Sequence, residues 1–192
     1  MGKSFEDIKQ KVLSVIKQSS VPEDFEHSTN TLKWVMHLYP EADLPLQIAA
    51  LAHDIDRADA CLKVQSGNFD NYDAFKNAHA KRSSEILNKI LEELGIEISV
   101  SRNACRLVEK HEFGGDKLSD ILKTADSISF FDINLPHYFK REGLEETRKR
   151  CEWGLNRLDS DALEIVSKLR YEDQALNQLM GESIAGFPKA RL

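Results

Sequence analysis

"LQIAALAHDIDRA", residues 46–58, is apolar nearly all the way round a helical projection, yet it carries His53 and Asp54 near its end. A helix that is apolar on every face belongs in the centre of a fold. Asp43 and Pro45 just upstream open it, one as a cap and the other in the first turn. A carboxylate buried in such a helix is costly unless a cation or hydrogen bonds neutralise it. What balances Asp54 therefore decides both the architecture and the chemistry.

Working outward, the periodicity is helical throughout. Ser4 and Asp7 form a capping pattern ahead of Phe5, Ile8, Val12 and Ile16. A second helix starts at Pro22, carries Phe25, Thr29, Leu32, Met36 and Tyr39 on one face, and ends at Pro40. Residues 59–73, "DACLKVQSGNFDNYD", lose the period and read as a loop of functional length. A fourth helix runs through Phe75, His79, Ile86, Leu87, Ile90 and Leu91 to Gly95 as its C′ residue. A fifth has Val100, Ala104, Leu107, Val108 and His111 on one stripe and stops at Gly114-Gly115. A sixth carries Leu118, Ile121, Leu122, Ala125 and Ile128, and Pro136 breaks the pattern. Two charged helices follow, roughly 137–158 and 160–180, the first over a stripe of Leu144, Cys151, Leu155 and Leu158. The tail "GESIAGFPKARL" reads as frayed. No stretch alternates with period two, so the expectation is one all-α domain over residues 1–192. Its motif-bearing core spans about 22–133, and the C-terminal helices act as lateral support.

Composition narrows the function classes. A net charge of −6 with no basic run gives no footprint for general nucleic-acid binding. The N-terminus has no signal-peptide pattern, and no segment spans a membrane. Gly2 lacks the Ser or Thr that myristoylation wants, because Glu6 stands there. Cys61, Cys105 and Cys151 are odd in number and far apart, as buried thiols of a reducing compartment would be. The expected location is cytoplasmic.

Six histidines are present. His27, His53, His79 and His111 lie on apolar stripes or at helix ends, and Asp126 lies in the apolar stretch "KTADSISFF". With Asp54 this makes four His and two Asp from five successive helices. Ligands projecting from helices into a bundle core are a recurrent way of building a metal site. Imidazole and carboxylate suit Mn, Fe, Co or Ni, with Mg and Zn as further options. Adjacent helix residues diverge by about 100°, so Asp54 beside His53 is suited to reach between two ions. His37 and His137 read as structural residues at helix ends.

The order His27, His53-Asp54, Asp126 resembles the H…HD…D signature of the HD-domain superfamily of metal-dependent phosphohydrolases. "AALAHDIDR", "HSTNTLKWV" and "KHEFGGDKLSDILKTADSISFF" resemble the segments that carry that signature, over about residues 22–133. His79 and His111 fill the positions that its two-metal branches add. The resemblance implies an HD-type helical bundle and hydrolysis of a small phosphorylated molecule, a nucleotide first among them, through metal-activated water. His27, His53 and Asp126 would hold one ion, His79 and His111 a second, with Asp54 shared. The sequence departs from the pattern at Asp56 and Arg57, where many members have Gly and Lys. Arg57, four residues after His53, is expected on the same helix face and suits phosphate; Asp56 reads as a surface charge or as a partner to a ligand. The absence of a GYP tripeptide argues against a cyclic di-GMP enzyme. The same ligand set also serves diiron oxygenases on this scaffold, and a non-catalytic nucleotide- or partner-binding HD module is the remaining alternative. The sequence leaves the oligomeric state open.

Overall fold

The computed structural model describes residues 3–58 and 66–187. Within them the chain is all-helical: α1 (Phe5–Ile16), α2 (Asp24–Leu38), α3 (Leu44–Ala52), α4 (Tyr72–Glu93), α5 (Ile98–Lys110), α6 (Lys117–Ser129), α7 (Leu135–Leu155), α8 (Ser160–Ser167) and α9 (Gln174–Ala185). Helix starts follow local chemistry. Ser4 and Asp7 cap α1 reciprocally, Asp43 accepts from the Leu46 amide, and Asp116 and Ser119 form a second capping box at α6. At the end of α4, Gly95 adopts φ 67° while the Ile96 amide reaches back to Leu91 O, the Schellman closure.

The hub is α3, whose core residues Leu46, Ile48, Ala49, Ala50, Leu51 and Ala52 are fully buried. It packs on α2 and α5; α4 lies on α5, and α6 lies on α2. The cluster around α3 includes Ile8, Val12, Leu87, Leu91, Leu107 and Leu122. A second apolar cluster, with Phe131, Leu135, Cys151, Leu155 and Met180, joins the end of α6 to α7, α8 and α9. None of the helices is long and apolar enough to cross a membrane, among the described residues.

Several boundaries differ from the sequence reading. α3 stops at Ala52 with His53 as its C-cap, and Ile55–Ala58 form a separate 3-10 turn. The loop expected over 59–73 contains a 3-10 turn at Ser66–Asn68, and Asn71 caps α4; residues 59–65, with Cys61, lie outside the described residues. On α2 and its C-cap the expected Phe25, Leu32, Met36 and Tyr39 pack half-buried against the core, while the more deeply buried residues include His27, Ser28, Asn30, Thr31 and Val35. Polar residues face inward there because each has a partner: Ser28 donates to Leu51 O, Thr31 to His27 O, and Asn30 to Ser129 and Asp132.

Pro136 does not end the helical path. A π-helical turn, Phe130–Asn134, joins α6 to α7 and places the proline in the first turn of α7. The wide turn spares the proline a clash with the carbonyl four residues back, and in the first turn of α7 its missing N–H leaves no helical hydrogen bond unmade. Inside α7, Gly143 takes φ 77° and kinks the helix. The kink turns Leu144 outward, so the expected stripe reduces to buried Cys151 and Leu155 with Leu158 half-buried. The region expected as one helix over 160–180 is two, because Asp173 caps a new start, and α9 continues to Ala185 through much of the expected frayed tail.

Gly154 is where α7 is pressed against the π turn within the second cluster. A Cβ there would lie 2.9 Å from Cζ of the fully buried Phe131 ring. Gly154→Ala should therefore cost about 1–3 kcal/mol through overpacking, read as a lowered midpoint in urea unfolding. An unchanged midpoint would show that α7 can shift away from Phe131.

Candidate metal centre

Two helix ends share one device. His53 is the C-cap of α3 and His111 the C-cap of α5, and each is followed by an acid, Asp54 and Glu112. Each ring donates Nδ1–H to the carbonyl three residues back, His53 to Ala50 O at 3.0 Å and His111 to Val108 O at 2.7 Å. A carbonyl only accepts, so Nδ1 carries the proton and Nε2 keeps a lone pair. His27 is fixed in the same sense. Ser129 Oγ gives its one proton to His27 O, so it accepts from Asn30 and from His27 Nδ1 at 2.9 Å. The Nε2 lone pairs of His27 and His53 consequently face each other at 3.1 Å, with Asp126 Oδ1 at 3.3 and 3.5 Å. Two lone pairs and a carboxylate oxygen in contact repel unless a cation lies among them.

Asp54 faces both ways. Its Oδ2 lies 3.8 Å from His27 Nε2 and 3.9 Å from His53 Nε2. Its Oδ1 lies 2.8 Å from His79 Nε2 and 3.8 Å from His111 Nε2. The donor atoms fall into two groups, each within 4.8 Å: His27, His53 and Asp126, then Asp54, His79, His111 and Glu112. His111 Nε2 is buried without a hydrogen bond, although Glu112 Oε1 is 3.2 Å away. An orphaned imidazole nitrogen among carboxylates is what a metal ligand looks like before the ion is added. The residues present fit divalent metal.

Charge balance tells the same story. Burial opposes ionisation of Asp54, but Arg57, His53 and His79 outweigh it and hold the carboxyl well below the usual range. Burial likewise opposes ionisation of Asp126, which His27, His53 and Arg157 overcome. His79 is pinned between Asp54 and Asp56, whose Oδ1 is 2.7 Å from Nδ1. Burial disfavours its charge, yet the two acids push its pKa up to about 9. The centre thus draws in positive charge, and without metal it takes a proton.

All six expected ligands, His27, His53, Asp54, His79, His111 and Asp126, are brought together. Arg57 is close but placed differently from expectation. Because α3 ends early, it sits in the 3-10 turn and reaches Asp54 at 2.9 Å and Asp24 at 3.4 Å, which occupies part of its guanidinium. Asp56 is buried behind His79, as a ligand's partner and not a surface charge. His37 is exposed beside Trp34, and His137 lies in the first turn of α7, away from both donor groups.

Five neighbours were not read from the sequence as part of the site. Glu112 joins the second donor group and contacts buried Lys76. Lys76 stands one turn before His79, a spacing that signals a shared face. Arg157 of the segment after α7 forks to Glu112 at 2.6 Å, Asp126 at 2.8 Å and Ser127 at 3.0 Å. Arg150 and Trp153 precede it at helical spacing, and both arginines lie over the Trp153 ring. Arg57, Lys76, Arg141, Arg150 and Arg157 all line one cavity of about 220 Å³ that reaches His27, Asp54 and Asp126.

Residues 6–179 match the family described as a domain of unknown function, DUF4202. The chain belongs to the DUF4202 family. No curated protein and no solved structure matches it. In this DUF4202 chain the C-terminal helices do more than support the core, because the match runs through them and Arg157 ties them to both donor groups.

Arg157→Leu should leave two buried carboxylates without their shared cation and lower the stability of metal-free protein by about 3–5 kcal/mol. Chemical denaturation in chelator measures this; a loss under about 1 kcal/mol, the scale of a surface pair, would show that the bridge is not structural.

Proposed function

We propose that this chain is a metal-dependent phosphohydrolase of the HD type acting on a small phosphorylated molecule, a nucleotide among the first to test. The observation that carries the reading is the cavity above the two donor groups. Arg150 faces it and stacks on Phe130 and Trp153, with no acid pairing it among the described residues. Burial lowers the pKa of Arg150, and a phosphate dianion is the partner that would restore its solvation. Arginine matches phosphate geometry bidentately.

Roles follow from placement. His27, His53 and Asp126 would hold one divalent ion, His79, His111 and Glu112 a second, and Asp54 would serve both. Such ions supply a water of lowered pKa and polarise a phosphoryl oxygen. Water adds to phosphorus, the ester P–O bond breaks, and the departing oxygen takes a proton. Asp56 and Ser129 fix the tautomers of His79 and His27. Arg57 orients Asp54 and keeps donors directed at the cavity it lines. Lys76 and Arg150 would balance the charge of the bound phosphate. Mn, Fe(II), Co and Ni all suit this nitrogen and oxygen set. The cationic lining supports ester hydrolysis over the oxygenase chemistry, and the complete ligand set supports it over a non-catalytic module.

The test is a phosphoester panel with Mn, Co or Fe(II), alongside metal analysis. Expected is metal-dependent phosphate release that chelator and Asp54→Ala abolish, and loss of about one metal equivalent in His79→Ala and in His111→Ala, as two donor groups require. Turnover that survives both chelator and Asp54→Ala contradicts the proposal. Oxygen uptake by iron-loaded protein without phosphate release would give the site to the oxygenase chemistry instead.

A further inference from the structure

The same cavity is lined by buried acceptors as well as by cations. Glu23, just before α2, is only 2% exposed, and Asn134, the last residue of the π turn, is 7% exposed; both line the cavity. Arg141 holds Glu23 Oε1 at 2.6 Å, while Glu23 Oε2 and Asn134 Oδ1 are buried with no hydrogen-bond partner. Both residues line the cavity, and a buried acceptor without a partner is costly until a donor reaches it.

The π turn that carries Asn134 is anchored from several sides. Asn30 and Trp34 donate to Asp132, and Tyr171 OH donates to Phe131 O at 3.0 Å. Asn134 is therefore presented by a fixed backbone, and Glu23 by an arginine. An acceptor-rich wall repels phosphate oxygens and selects O–H or N–H donors. Arg57, Lys76, Arg150 and Arg157, which line the same cavity, select the anion.

Resting on the phosphohydrolase reading, we infer that Glu23 and Asn134 form a specificity subsite that accepts hydrogen bonds from hydroxyls of the alcohol portion of a polyhydroxylated phosphate monoester. Arg141 is the positioning residue for Glu23. The cavity, about 220 Å³, is smaller than the roughly 300–1,000 Å³ of sites for drug-sized ligands. It suits a sugar phosphate of pentose size better than a molecule with two nucleoside ends.

The test is binding, so it needs no turnover. Two probes are titrated calorimetrically into the metal-loaded chain: the phosphonate isostere of ribose 5-phosphate, and its counterpart whose ring carries no hydroxyls. Wild type should prefer the hydroxylated probe by at least about tenfold, because a site built to bond hydroxyls rejects analogues that lack them. Glu23→Gln, close in shape, and Asn134→Ala should each shrink that ratio towards one. A ratio near one in wild type, or an undiminished ratio in both variants, overturns the subsite and leaves the phosphohydrolase reading standing. Failure of wild type to bind either probe also overturns the subsite, while the phosphoester panel decides the phosphohydrolase reading separately.

Discussion

Two imidazole lone pairs held 3.1 Å apart, with a carboxylate oxygen against both, are the constraint on which the rest of the molecule depends. Nothing in a helical bundle favours that contact by itself. It persists because every ring is tied from behind: His53 to a carbonyl of α3, His27 to Ser129, and His79 to Asp56. The ties come from different helices, so the centre and the bundle specify each other. α3 must be apolar all round because it lies beneath the centre, and α2 must turn its polar face inward because that face holds the ring of His27.

The surrounding charges form a closed circuit. Asp54, Asp126 and Glu112 are each met by a guanidinium or ammonium, from Arg57, Arg157 and Lys76 respectively. Removing a single member leaves a buried charge undercompensated, whereas a divalent ion would replace protons and relieve lone-pair repulsion. The C-terminal cluster enters the circuit through Arg157. That explains how α7, kinked at Gly143 and packed on Phe131 through Gly154, contributes to a centre otherwise built from α2 to α6.

Much of this was legible in the sequence. Acids and histidines inside apolar runs mark buried polar groups whatever the tertiary structure, so all six candidate ligands could be named from their place on the helices and from the resemblance their order carries. Glu112 was equally available, since His111-Glu112 repeats the His53-Asp54 pattern of a histidine and an acid at a helix end. Arg157 was not, because its partners are 31 and 45 residues away and only the packing of α7 brings them near. The deeper, polar side of α2 was missed because side-chain hydrogen bonds, not hydrophobicity, hold it inward. The early end of α3 was misjudged because a ring-to-carbonyl bond at His53 closes the helix while the apolar pattern continues through Ile55.

The most direct measurement of the central claim is anomalous scattering from a crystal of the protein grown with Mn, collected on both sides of the metal edge. The account predicts one peak bounded by His27, His53 and Asp126 and another bounded by His79, His111 and Glu112, with Asp54 between them. Fully ordered side chains with no peak at either position, at a Mn concentration that saturates other Mn proteins, would contradict it.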